Sequence, residues 1–251
     1  MMVPEVKRGG AVPPGAKEKT DMENKAFTGC SEQMYDFFRD IAFHNEKAFF
    51  EANRQRYVRY VKEPMYALAQ ALLPDALAID PEFNDRIASI VSRINRDTRF
   101  SKDKSPYRDR VWLGFKPRGV RTGEAFEVYA EFEWQEYGYG MGCYCAAPEL
   151  MQALRSRMLA KPYEFLSLVE DEAFASRFAL CGEEYKRPRF HEGPEALWPY
   201  LNRKSIAFCF SSPALSRTCG PEIEQEIREG FALLKPVYRF LMGLDERPDE
   251  D

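Results

Sequence analysis

Histidine is almost missing from this chain: its 251 residues include two, His44 and His191. A histidine-based triad or a histidine-rich metal centre therefore has little to draw on. No P-loop, dinucleotide fingerprint, G-x-S-x-G elbow or H-E-x-x-H occurs, and the nucleotide-hydrolase, Rossmann, α/β-hydrolase and zinc-protease signatures go with them. No apolar run approaches the ~18 residues that a membrane helix needs. Residues 1–25 lack the apolar stretch of a signal peptide, and no internal repeat is visible. The six cysteines, at 30, 143, 145, 181, 209 and 219, are scattered. That pattern suits small apolar residues in a reducing cytoplasm and not a disulfide framework. Cys143 and Cys145 would share one strand face, but two thiols without further Cys or His beside them make no zinc site, so packed thiols are expected.

What remains is an ordinary globular composition, 45% hydrophobic and 30% charged, at a length that suits one domain of above-average size. Residues 1–25, rich in Pro, Gly and charge without apolar period, read as a disordered tail in which Met22 offers an alternative start. Residues 26–244 then form a single domain, followed by an acidic tail over 245–251.

Charge is distributed unevenly. Between Arg93 and Arg121 stand ten Lys or Arg against three Asp, a local +7 in a chain whose net charge is −4. Such a concentration must be paired by carboxylates from elsewhere or held open for an anion.

Apolar spacing predicts a helix capped by Ser31, with Met34, Phe37, Phe38 and Ile41 on one stripe and His44 as its terminal cap. A second helix from about Glu46 carries Phe49, Phe50, Tyr57, Val61, Met65, Leu68 and Leu72. Pro64 marks a kink or a fresh first turn there, and Pro74 the end. Ile87–Phe100 reads as a strand, 101–106 as a polar turn, and Val111, Leu113 and Phe115 as a further strand. Phe126–Trp134 alternates between an apolar face and the row Glu127, Tyr129, Glu131, Glu133. In Tyr137–Cys145, Gly138, Gly140 and Gly142 share a face that a helix or neighbouring strand approaches more readily than a ligand does. Pro148 and Pro162 open helices. Glu184–Phe190 and Ser205–Phe210 read as short strands around a helical turn near 195–201, and a last helix runs from about Pro221 to Leu241. Strands joined by unequal connections imply an α+β fold, a mixed or antiparallel sheet with helices packed mainly on one face.

The spacing R-x-x-R-D-x-R-F-x-x-D-K-x-x-Y, carried by Arg93, Arg96, Asp97, Arg99, Phe100, Asp103, Lys104 and Tyr107, resembles the signature of a mostly bacterial family, domain of unknown function 2461. Fainter echoes are Phe27 and Gly29, Asn45 and Phe50, Lys186-Arg187-Pro188, and His191 with Pro194, so the likeness spans roughly 27 to 243. The resemblance supplies a family without an activity.

Three readings of the motif stay open. In the structural one, the arginines pair with Asp97, Asp103 and the Glu127, Glu131, Glu133 row and pin the 101–106 turn to the sheet. In the binding one, Arg93, Arg96, Arg99, Lys102, Lys104 and Arg108 hold a phosphate-bearing small molecule or short nucleic acid. Tyr107 then serves as hydroxyl donor, Asp97 and Asp103 orient the arginines, and Lys186 and Arg187 supply a second cluster. Phe100, Tyr107 and Trp112 are candidates to stack on bases. In the enzymatic one, Glu131, Glu133 and Asp97 hold Mg²⁺ for phosphoryl or phosphodiester chemistry. Cys209 and Ser105 lack an evident base, which disfavours nucleophilic catalysis. No cofactor is indicated.

Overall fold

The computed structural model describes residues 26–99, 101–120, 126–143 and 146–246. The tail expected over 1–25, Phe100, Arg121, Cys145 and residues 247–251 of the acidic tail lie outside them.

Helix α1 (Glu32–Phe43) starts after Ser31 and buries Met34, Phe37, Phe38 and Ile41, the stripe that the spacing marks, and His44 is its C-cap. Helix α2 (Lys47–Tyr57) runs through a π-helical turn, Val58–Lys62, into α3 (Glu63–Ile79), where Pro64 sits in the first turn. Pro64 has no N–H to give, and the wider turn before it accommodates the ring. Pro74 does not end this run: it lies inside α3, because the buried Leu72, Ala76 and Ile79 carry the helix five residues further.

The expected strand over Ile87–Phe100 is corrected. Ile87–Ile90 forms one helical turn (α4), and beyond it the chain meets β1 through an isolated bridge, Val91 to Leu113, and hydrogen bonds between Ser92 and Trp112, while Asn95 bridges to Tyr107. β-Branched composition marked half-buried chain there without specifying a ladder.

Strands β1 (Arg110–Phe115), β2 (Glu127–Glu133) and β3 (Tyr137–Gly142) form a meander. Helices α5 (Pro148–Ala160), α6 (Pro162–Val169) and α7 (Glu172–Arg177) lead to β4 (Ala179–Cys181). A one-turn helix α8 (Trp198–Leu201) precedes β5 (Ala207–Ser212), and α9 (Glu222–Met242) closes the fold. All pairings are antiparallel in the order β1-β2-β3-β5-β4. Glu184–Phe190 is not a strand. It is loop, tied by one bridge from Glu184 to Arg203. Its backbone bonds converge on Asn202, whose carbonyl accepts from the Tyr185 N–H and whose Oδ1 accepts from the N–H groups of Arg189 and Phe190. Helix α7 and β4 escaped the sequence reading because each spans about two turns or less of weak period.

Leu113, Phe115, Val128, Ala130, Phe132, Tyr139 and Met141 face the helices and are buried. Phe115 meets Phe231 of α9 edge-on at 5.7 Å. Gly230 lets α9 approach β3, since a Cβ there would stand 2.4 Å from the Tyr139 ring. The fold is α+β with its described helices on one face, as the pattern predicts.

Candidate functional site

The basic motif forms a hairpin on the outer edge of β1. Arg96 N–H donates to the Pro106 carbonyl at 2.9 Å, and Arg108 N–H to the Ile94 carbonyl at 2.8 Å, so 94–96 and 106–108 lie side by side, with 97–99 and 101–105 toward the tip. Asn45, from the α1–α2 connection, fixes this arrangement. Its Nδ2 donates to the Tyr107 carbonyl and its Oδ1 accepts from the Tyr107 N–H, both at 2.9 Å, so a side-chain amide replaces a strand partner. The Tyr107 ring stacks on Phe50 at 4.4 Å and is buried. Asn45, Phe50 and Tyr107, far apart in the chain, are thus one packing unit.

Most of the cations find partners within the hairpin. Arg96 pairs with Asp103, and Arg99 pairs with Asp97 at 2.6 Å. Lys104 donates to the Thr98 carbonyl. Arg108 donates to the Arg93 carbonyl and lies 4.5 Å over the Trp112 ring. Asp97 is drawn down to about 2 by hydrogen bonds from the Arg99 guanidinium and N–H. Asp103 is held well below the usual carboxylate range by the Ser105 hydroxyl and N–H and by Arg96. The Glu127, Glu131, Glu133 row is not the main partner of the motif's arginines, although Glu131 stands opposite Trp112 on the same sheet face; Arg110 pairs with Glu133, 2.5 Å away. The side chains of Arg93 and Lys102 are exposed and have no hydrogen-bond or ion-pair partner among the described residues.

A small void adjoins the hairpin. The void beside it, bounded by Ser92, Ile94, Arg110, Phe38 and Tyr57, has no room for a water. Lys186 and Arg187 are exposed on the loop joining β4 to β5, without partners among the described residues. Strand order sets that loop and the hairpin at opposite edges of the sheet, so the two basic groups do not face one another. The acids proposed for Mg²⁺ are not collected either: Asp97 holds Arg99, Glu133 holds Arg110, and no three His, Cys, Asp or Glu among the described residues form a metal-holding group.

The sheet face opposite the helices carries polar groups that the sequence pattern underrated. Register places Trp112, Glu131, Gly138 and Ser211 in one row across it, and Gly114, Tyr129, Gly140, Cys209 and Ala179 in the next. The expected close approach to the glycines comes from neighbouring strands, not from a helix. Gly140 leaves room for the Tyr129 hydroxyl, which a Cβ would meet at 3.1 Å, so that hydroxyl reaches across β3 to Cys209. Burial raises the Glu131 carboxyl, with Glu133 adding to the effect and Arg110 opposing it. On the helix face, Glu226 accepts from Tyr137 at 3.1 Å and from Arg217 at 2.8 Å, and Arg177 donates to the Tyr139 hydroxyl. Nothing in the spacing of α9 distinguishes Glu226 from its surface acids.

The class of protein is thus an α+β domain with a five-stranded antiparallel sheet and a basic hairpin flanking its first strand. Residues 33–240 match the model of the family described as "Conserved hypothetical protein (DUF2461)", and the chain belongs to that family. No curated protein matches it. No helix among the described residues is long and apolar enough to cross a membrane.

Proposed function

We propose that this protein is a binding module. From a single domain spanning residues 26–244, in the cytoplasm, it presents the basic hairpin of residues 93–108 to an anionic, phosphate-bearing ligand, a nucleotide or a short nucleic acid. The observation that carries this reading is the exposed pair Arg93 and Lys102, whose side chains have no ion-pair partner among the described residues, on a segment where six Lys or Arg outnumber two Asp. Arg99, at 77% side-chain exposure, keeps its outer face toward solvent even while it holds Asp97. The void beside the hairpin is too small for a water, so an extended ligand touched from one side fits this surface better than a molecule enclosed there. Tyr107 is buried and Trp112 is covered by Arg108, so contacts to phosphate outweigh stacking on bases. Binding then depends strongly on salt and weakly on base sequence.

The test is fluorescence anisotropy of a labelled single-stranded oligonucleotide over stepped NaCl, comparing wild type with Arg93→Ala/Lys102→Ala. The double variant should bind more weakly, its log–log salt slope lower by roughly 0.7 per lost phosphate contact. No binding by wild type at low salt, or equal binding by both proteins, would sink the proposal. The pairings Arg96–Asp103 and Arg99–Asp97 support a second reading, a structural network in a non-catalytic interaction domain. Under that reading Arg96→Ala lowers Tm while the oligonucleotide is ignored by every variant.

A further inference from the structure

We propose that Cys181 and Cys209 form a reversible cross-strand thiol pair that a peroxide converts to a disulfide. Strands β4 and β5 pair antiparallel with Ala179 opposite Cys209 and Cys181 opposite Ala207. The two cysteines therefore project from the same face, on the diagonal between adjacent rungs. This is the sheet face opposite Val128, Met141 and Phe208, and both are half-buried free thiols. Cys181 and the Tyr129 hydroxyl both lie near enough to Cys209 to act on its ionisation, and the Cys181 thiol donates to the Ala179 carbonyl at 3.5 Å.

The two thiols are not equivalent. Cys209 lies on β5, which is paired on both sides, and burial pushes it up to about 12. Cys181 ends a three-residue strand at the sheet edge. Peroxide is therefore expected to meet Cys181 first: the sulfur attacks one peroxide oxygen, the O–O bond breaks, and Cys181 becomes a sulfenic acid as water leaves. The Cys209 sulfur then attacks the Cys181 sulfur, the S–O bond breaks, and the departing hydroxide takes the Cys209 proton as a second water. One peroxide is reduced and two thiols are oxidised. Diagonal Cα atoms in an antiparallel pair stand about 7–8 Å apart, and a disulfide needs less than about 7 Å. The edge strand must therefore shift slightly toward β5. A bond made under that constraint is readily reduced, which suits a transient bond in a reducing compartment.

The experiment exposes the full chain to hydrogen peroxide under native conditions and counts free thiols before and after, then maps linked peptides from a non-reducing digest. The chain has six cysteines, and the free-thiol count of wild type should fall by two, with Cys181 and Cys209 in one linked peptide that dithiothreitol releases. Cys181→Ser and Cys209→Ser should each abolish that link, and Cys209→Ser should leave a sulfenic acid on Cys181 that dimedone traps. Circular dichroism of each variant checks that it is folded. The proposal is overturned if both thiols survive peroxide in wild type, if either joins a different cysteine or a second chain, or if Cys181 passes to sulfinic acid without the link.

Discussion

Two sets of arginines divide the labour in this molecule. Arg96 and Arg99 sit in the densest run of charge and pair with aspartates seven and two residues away, in contact with solvent. Arg155 and Arg203 stand among ordinary neighbours and are buried. Arg155 Nε donates to the Leu201 carbonyl at 2.9 Å and its Nη2 to the Arg203 carbonyl at 2.6 Å, while its guanidinium lies 4.4 Å over Phe190. Arg203 donates to the Gly182 carbonyl and pairs with Glu184. One set closes a local loop. The other ties α5, α8 and the β4–β5 loop together across the chain. A crowd of charges in sequence thus marks surface, whereas a single arginine meeting distant carbonyls holds the fold.

Replacing Arg155 by Ala breaks that comparison most directly. Two buried carbonyls lose their donor and Phe190 its stacked partner, so the loss should be about 3 kcal/mol, read as a lower urea midpoint with unchanged slope. A loss below about 1 kcal/mol would place Arg155 with the hairpin set. Asn45→Ala comes next. It leaves the Tyr107 N–H and carbonyl without their partners and should cost roughly 1–2 kcal/mol. Amide exchange should rise at Tyr107 and along 94–108 before it rises in β2. The smaller effect lies at Arg99→Ala, where Tm should hardly move because the pair is exposed. Its signature is in titration instead: Asp97, held at about 2 by Arg99, should return toward its ordinary value of 3.8. The sign follows from the depressed value. Any stability from the pair is complete above pH 3.8 and is lost as pH falls toward 2, and the variant lacks that acid-dependent part.

Where an element repeats over many residues, its pattern carried the fold. The stripe of α1, the alternation of β2 and the proline-opened α5 and α6 each state a period and a boundary in sequence. Pro74 misled because a local rule met the packing of Leu72, Ala76 and Ile79, which outweighs it. The segment after Ile87 misled because the same β-branched residues serve a ladder or a half-buried edge equally well. The motif's density located the hairpin but not its partners. That Arg99 takes Asp97 is a matter of two residues, whereas the reach of Asn45 to Tyr107, 62 residues away, has no trace in spacing. The thiol pair was hidden for the same reason, since Cys181 and Cys209 meet only once strand order is known.

Glu131 supplies the smallest expected effect and the reverse case of Arg155: a group that loses water without gaining a partner. It has no hydrogen bond or ion pair among the described residues, Arg110 having taken Glu133 instead, and burial holds its carboxyl above the ordinary 4.5. A raised carboxyl means that the folded state binds the proton more readily than the unfolded one, so ionised Glu131 weighs against folding at neutral pH. Glu131→Gln removes that charge and should raise Tm slightly at pH 7. The advantage should shrink as pH falls through the raised value and vanish below 4.5, where the native side chain is protonated in both states. The check is the difference in Tm between the two proteins across about pH 4 to 8. If the glutamine variant melts lower at pH 7, the Glu131 carboxylate is engaged by a cation or donor in solution, and the open sheet face must then be counted with the buried arginines as part of what holds the fold.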